Sequence, residues 1–344
     1  MKLLIIHTAF IGDIILSTPF IESLYANDKS AEIYYVTTKL GAQVLANNPH
    51  IKEVIVYDKR GEHKGLKGFL RMSERLKKYH FDRAYIFHRY LRSVALAKFA
   101  KIPERIGYDV SGGSWMLTQK VPYIKGVHEV ERLLRFEDFK ERKTPIKLYG
   151  CFTLEQGVDQ LFMKNHVDDR KPLIALAPGS KWFTKQWPME YVSALLELLS
   201  KKEVQVLLIG GKEESLLDIS KNHENVIDLM GHTSLLEVYE IFRRCDVVVS
   251  NDSSPIHFAS ATKAKVIAIF GATVKELGFY PWSENSIVLE DLNVECRPCG
   301  LHGGESCPKG HFECMRNITP ERVLLEIEKA LSEVQDEKNS SHKV

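Results

Sequence analysis

The chain has 344 residues, and at roughly 100–200 residues per domain two domains are the natural expectation. Hydrophobic residues make up 44% and charged residues 27%, a globular composition that excludes extended disorder. A net charge of +2 gives no overall attraction to nucleic acid, so no nucleic-acid partner is expected and any electrostatic targeting must be local.

Taken in chain order, residues 2–7 read as a buried first strand. This apolar run is too short for a signal-peptide core, and no stretch of about 18 apolar residues follows anywhere. The expectation is a cytoplasmic protein whose six cysteines are reduced. Residues 13–26 follow as an apolar helix. Residues 32–37, 54–57 and 84–88 read as further strands, the last leading into a helix through Leu96 and Phe99. Short, nearly continuous apolar strands between helices predict a parallel sheet covered on both faces, a doubly wound α/β domain.

Between residues 144 and 171 the pattern weakens and charge increases, which suggests a linker. The expected domains are therefore residues 1–165 and 172–344. The second α/β series places strands at 173–177, 204–209, 246–250 and 265–270, and helices at 189–200, 235–242 and 255–262. Residues 321–334 form a closing amphipathic helix. Ligands of open α/β sheets sit beyond the carboxyl ends of the strands, so loops at those ends are the candidate site, expected to be shared between the two domains.

The first such loop is Thr8-Ala9-Phe10-Ile11-Gly12-Asp13. Asp13 sits near a helix start, where the dipole favours a carboxylate that can accept a proton; a plain capping role is the alternative. The second loop runs from Ala177 to Pro188. Gly179 and Ser180 offer amide and hydroxyl donors for phosphate, and Lys185 a mobile point charge, unless it is simply a surface lysine beside Trp187-Pro188. The third is Ser250-Asn251-Asp252-Ser253-Ser254-Pro255-Ile256-His257. Its acid and hydroxyls suit sugar and phosphate; ordinary capping plus a core histidine is the other reading. Glu213, chosen over Glu214, is a candidate ribose acceptor. The loop from Met230 to Ser234 either shapes a base pocket through its backbone or caps a helix.

Residues 59–83 carry nine Lys/Arg against three acidic residues. This is either a solvated helix face or a landing patch for an anionic acceptor or membrane surface. Lys59, Arg60, Lys64 and Arg89 are the candidate acceptor contacts. Late in the chain, Cys296-x-x-Cys299, Cys307 and Cys314 form a candidate structural zinc set, with packing thiols or redox pairs as alternatives. Neither a Walker loop nor a dinucleotide glycine fingerprint is present, which disfavours a nicotinamide dehydrogenase.

Phe10-Ile11-Gly12-Asp13, Pro178-Gly179-Ser180 with Lys185-Gln186-Trp187-Pro188, and Asn251 to His257 together resemble glycosyltransferase family 9, the ADP-heptose:lipopolysaccharide heptosyltransferases. The cysteine run looks like that of its heptosyltransferase II branch. The resemblance implies a GT-B fold of two Rossmann-like domains, the first binding acceptor and the second nucleotide-sugar. It implies inverting transfer of heptose from ADP-heptose to the lipid-linked inner core of lipopolysaccharide, with no catalytic metal and no required cofactor. The enzyme would be cytoplasmic, in peripheral contact with the membrane. Asp13 matches the family's general base, and Ser180 and Lys185 its donor-phosphate positions. Glu213 matches the ribose acid and Asp252 the residue near the donor sugar; Ser253, Ser254 and His257 complete the donor loop. Two departures stand out: Ser254 occupies a position where glycine is common, and His7 one where Lys or Arg is common. A GT-B sugar-nucleotide epimerase and a non-catalytic, zinc-organised binding protein are the competing expectations.

Overall fold

The computed structural model describes residues 1–139, 143–212 and 223–341. It contains two compact units, Met1–Tyr149 and Gly150–Val344.

The first unit alternates strands and helices: β1 (Lys2–Ile6), α1 (Ile11–Leu16), α2 (Thr18–Asn27), β2 (Glu32–Thr37), α3 (Lys39–Leu45), β3 (Ile51–Val56), α4 (Gly65–Lys77), β4 (Arg83–Ile86), α5 (Leu91–Phe99), β5 (Glu104–Tyr108), β6 (Gln119–Val121) and α6 (Glu129–Leu134). The sheet order is β3-β2-β1-β4-β5-β6, and every pair is parallel. Leu4, Ile5 and Ile6 of β1 are fully buried, as expected of a central strand covered on both faces.

The second unit repeats this winding with α7 (Phe152–Lys164), β7 (Leu173–Ala177), α8 (Met189–Leu199), β8 (Gln205–Leu208), β9 (Val226–Asp228), α9 (Leu235–Arg244), β10 (Val247–Asn251), α10 (Ser254–Ser260), β11 (Lys265–Ile269), β12 (Ser286–Leu289), α11 (Glu313–Arg316) and α12 (Pro320–Ser341). Its order is β12-β11-β10-β7-β8-β9, again all parallel. In each sheet the order reverses beside the first strand, between β1 and β4 and between β7 and β10. Those reversals open the crevices in which doubly wound folds bind ligands.

Two sequence expectations differ from the structure. The helix expected over 13–26 is two helices broken at Ser17. The Ser17 hydroxyl donates to the Ile14 carbonyl at 2.7 Å and shares a 2.7 Å hydrogen bond with the Tyr35 hydroxyl. Pro19 then stands in the first turn of α2, where its missing N–H costs nothing. The expected linker contains α7, whose Val158 and Phe162 are buried. The charge that reads as linker pairs with α9: Arg244 meets Asp159 at 2.6 Å and Arg243 meets Glu155 at 3.3 Å. The two units therefore divide at Tyr149/Gly150, not after residue 165.

Trp187 anchors the core of the second unit. It is 1% exposed, and its indole N–H donates to the Ile318 carbonyl at 2.8 Å. Trp187→Ala is expected to cost about 3–5 kcal/mol through the cavity. Trp187→Phe keeps most of the apolar volume but strands the carbonyl, at about 1–3 kcal/mol. Denaturant unfolding followed by far-ultraviolet circular dichroism checks the order. A Phe variant as stable as wild type would show that the indole hydrogen bond contributes nothing.

Candidate functional site

In the second unit, the strand ends beside the β7/β10 reversal are laced together by side chains. Asn251, the last residue of β10, accepts from the Trp187 amide at 3.2 Å through its Oδ1, and its Nδ2 donates to the Pro178 carbonyl. One buried amide thus holds both ends of the loop that follows β7. The Gln186 amide donates to the Ser180 carbonyl at 2.6 Å, folding the loop on itself. Thr184 exchanges hydrogen bonds with Gly304: its N–H donates to the Gly304 carbonyl at 3.0 Å, and its hydroxyl accepts from the Gly304 N–H at 2.7 Å.

This lacing sets the Lys185 Nζ 2.6 Å from the Asp252 Oδ2, with side-chain exposures of only 13% and 7%. The same carboxylate oxygen accepts from the Thr273 hydroxyl at 2.5 Å. Lys185 is therefore no surface lysine. Ser180, in the same loop, is buried. Ser253 precedes α10 but makes no side-chain cap bond; its hydroxyl reaches the Gly179 carbonyl at 3.3 Å and ties the two loops. Ser254 begins α10 half-buried, and His257 is buried in that helix.

Thr273 and Arg297 escape the sequence reading. Arg297 lies between two cysteines and reads there as a spacer. In the fold its guanidinium is 4% exposed and paired with Glu290 at 2.8 Å. It donates to the backbone carbonyls of Thr273 (2.7 Å) and Asp291 (2.8 Å) and of Gly271. Arg297 thereby fixes the loop after β11 that aims Thr273 at Asp252. A charged residue between Cys296 and Pro298 gives no sequence signal of this.

Met230 is buried, and its N–H donates to Asp228 at 2.9 Å. Gly231 adopts a left-handed φ of +73°, and its N–H meets the Gly210 carbonyl at 2.9 Å. A Cβ there would come within 2.8 Å of the Lys212 Cα, so this close approach requires glycine. Ser234 is a helix cap, forming a reciprocal capping box with Glu237. Glu213 and Glu214 lie outside the described residues.

The cysteine expectation fares differently. Cys296, Cys299, Cys307 and Cys314 are free thiols. Burial pushes Cys314 up to about 11, with the three other thiols adding to the rise, which shows the four to be neighbours. The Cys296 sulfur lies 3.7 Å from the His311 Nε2. Yet among the described residues no group of three or more His, Cys, Asp or Glu is arranged to hold a metal ion. The loop is tied by Arg297, by the Thr184–Gly304 pair and by the Cys299 N–H, which donates to the Ala272 carbonyl at 2.7 Å.

In the first unit, α1 starts after Phe10, which caps nothing with its side chain; Asp13 lies within the first helical turn. Asp13 is thus not the helix cap. Its half-buried carboxylate lies near the Tyr35 hydroxyl, whose pKa it helps to raise, although burial is the larger cause. Lys59 arrives from the loop after β3 and donates to the Thr8 hydroxyl at 2.8 Å. Thr8 in turn lies 3.4 Å from the His88 Nδ1. Burial, then Arg92 and Arg60, lowers the Lys59 pKa below the usual lysine value. Arg60 and Lys64 are exposed. Arg89 is exposed with its guanidinium 4.4 Å from the Tyr123 ring centre. Of the four acceptor candidates, Lys59 is hydrogen-bonded at the end of β1 and Arg89 lies near His88.

His7 and His88 are both neutral there. Burial, with His88 beside it, takes His7 down to about 3. Burial, with Lys59 and Arg89 nearby, takes His88 down to about 4. The unfolded chain binds these protons near pH 6.5 and the folded chain does not. Stability is therefore undiminished by His7 above pH 6.5 and is lost as pH falls from there toward about 3. His7→Gln is expected to remove up to about 1.4 kcal/mol of this loss per pH unit. Denaturant titrations at pH 7 and pH 5 measure it; equal pH slopes in both proteins would contradict a buried neutral His7.

Residues 69–305 match glycosyltransferase family 9 (heptosyltransferase). The lipooligosaccharide heptosyltransferase 2 of Campylobacter jejuni serotype O:6 is 24% identical over 337 residues, covering 96% of this chain and 99% of its own. The lipopolysaccharide heptosyltransferase 2 of Salmonella typhimurium is 24% identical over 362 residues, covering 97% and 99%. The solved structure of E. coli ADP-heptose lps heptosyltransferase II superposes with a TM-score of 0.80 at 23% identity, over 97% of this chain and 100% of its own, which establishes the fold. The chain belongs to glycosyltransferase family 9 and is a glycosyltransferase of α/β, GT-B architecture.

Proposed function

We propose that the protein transfers heptose from ADP-heptose to a sugar hydroxyl of the lipid-linked lipopolysaccharide inner core, at the cytoplasmic face of the membrane. The transfer inverts the anomeric centre and uses no catalytic metal. The observation that carries this reading is the buried Lys185–Asp252 pair at the strand reversal of the second unit, taken with the family assignment. The same assignment disfavours the epimerase and the zinc-organised binding protein.

The acceptor hydroxyl attacks the anomeric carbon as the bond from that carbon to the diphosphate oxygen breaks. Asp13 takes the hydroxyl proton, and ADP departs with the bonding pair. General-base help of this kind is worth about 10²–10⁴-fold. The ammonium of Lys185 has three donors, so it can keep Asp252 and still meet a diphosphate oxygen. The Ser180 hydroxyl joins it, and together they stabilise the charge that grows on the leaving group. Asp252 engages Lys185 and Thr273 through Oδ2, which leaves Oδ1 to orient a donor-sugar hydroxyl. Ser253, Ser254 and His257 border that sugar and its phosphates. Glu213 receives the ribose and the backbone around Met230 the adenine. Lys59, with Arg60, Lys64 and Arg89 farther out, holds the anionic acceptor core.

The test is an incubation with ADP-heptose and a heptose-bearing inner-core lipid, without added divalent cation, following ADP release and acceptor mass. A gain of one heptose is expected, with kcat for Asp13→Asn lower by about 10²–10⁴-fold. Absence of any mass gain despite tight ADP binding would overturn the donor–acceptor assignment. Thr273→Val removes one donor from a carboxylate, a bond worth about 1.5–3 kcal/mol, so kcat/KM for ADP-heptose should fall at least about tenfold. The acceptor KM should stay unchanged; a matching rise there would show general unfolding of the site.

A further inference from the structure

We infer that the α4–α5 face of the first unit is a docking surface for an anionic lipid bilayer. The inference rests on the lipid-linked acceptor of the proposed reaction for its purpose, and on the following geometry for its substance. Phe69, Met72 and Leu76 of α4 point into the core. One step round the helix, Leu66 and Leu70 stand out into solvent, 73% and 43% exposed. Tyr90, Leu91 and Phe99 extend the exposed apolar surface along α5. Trp115, 76% exposed, sits in the short turn Ser114–Met116 packed on α5, and Gly112 and Gly113 rest directly against Leu91. Between the two helices runs a groove of about 560 Å³ lined by Gly65, Leu66, Phe69, Tyr90, Leu91, Arg92 and Ala95. Single exposed apolar residues are ordinary; this many adjoining ones mark a contact surface.

Charge selects the occupant. Residues 59–78 carry eight Lys/Arg against two Glu. Arg75 and Lys77 pair with Glu53 and Glu74, and Arg71 reaches Glu62 at 3.9 Å. Lys64, Lys67 and Lys78, with Lys98 and Lys101 at the end of α5, have no acidic partner within ion-pair distance among the described residues. Exposed leucine and aromatic side chains on and beside two helices that also carry these lysines match the boundary between acyl chains and anionic headgroups. Among the described residues no helix is long and apolar enough to cross a membrane, so this contact lies in the interface plane.

The experiment is flotation of the full chain with vesicles, in the absence of donor and acceptor, so that its outcome is independent of the transferase assignment. Vesicles of phosphatidylethanolamine with phosphatidylglycerol are compared with vesicles of phosphatidylcholine. Binding is expected only to the anionic vesicles, weakening as salt rises. Lys67→Glu/Lys98→Glu should weaken it at least about twentyfold, at roughly fivefold per basic residue. Leu66→Asp/Leu91→Asp should abolish it while leaving activity on a deacylated, water-soluble acceptor intact. Failure to bind anionic vesicles, or equal binding by wild type and both variants, overturns the inference. A lipid-free dimer that Leu66→Asp/Leu91→Asp dissociates would assign the face to a second copy of the chain and equally overturn it.

Discussion

The second unit is organised around a charge pair that a protein seeking only stability would avoid. Lys185 and Asp252 are almost fully removed from water and 2.6 Å apart. Desolvating two ions costs several kcal/mol each, and their attraction repays this only with good geometry and further hydrogen bonds. Here the Thr273 hydroxyl supplies such a bond. The carbonyls that position Thr273 are fixed by Arg297, itself paired with Glu290. A chain of polar contacts therefore runs from the cysteine-rich loop to the charge pair, through residues remote in sequence. Replacing the pair by packed apolar side chains would cost little stability. A pair held this way is preorganised charge, which requires no rearrangement when an anion is brought beside it.

The fold produces this arrangement twice. Both sheets reverse their strand order beside their first strand, and both reversals gather loops of otherwise unrelated sequence. In the second unit the result is a matched cation and anion. In the first it is a single ammonium, Lys59, among neutral histidines. The same winding thus delivers a matched ion pair in one unit and a lysine among neutral imidazoles in the other. That division of labour follows from which side chains the strand ends carry, not from the architecture.

Much of this was legible in the sequence because buried parallel strands are nearly continuous apolar runs. The ranges 32–37 and 173–177 coincide with β2 and β7. β5, β6, β9 and β12 escaped; β6 and β9 have only three residues each, and β6, β9 and β12 lie at sheet edges. α7 escaped because its polar face pairs with α9 and so reads as charged linker. Of the candidate residues, Lys185 and Asp252 stand in the motif loops that the sequence singles out. Their mutual pairing, and the parts played by Thr273 and Arg297, depend on contacts between loops far apart in the chain. Four clustered thiols are equally visible in sequence, but spacing alone does not bring their sulfurs to ligand geometry.

His7 shows how one departure from the family pattern is absorbed physically. A lysine or arginine at the end of β1 would carry its charge into a site that is 3% exposed. The imidazole instead sheds its proton and lies within 3.2 Å of the Tyr35 hydroxyl, which is bonded to Ser17 at the α1–α2 break. Positive charge returns one residue later, through Lys59 on Thr8. Lys59 is itself lowered by burial and by Arg92 and Arg60, so its ammonium gains from any anion brought beside it. The end of β1 thus keeps its cation on Lys59, held by Thr8 and flanked by Arg92 and Arg60, while the side chain buried in the strand end itself stays neutral.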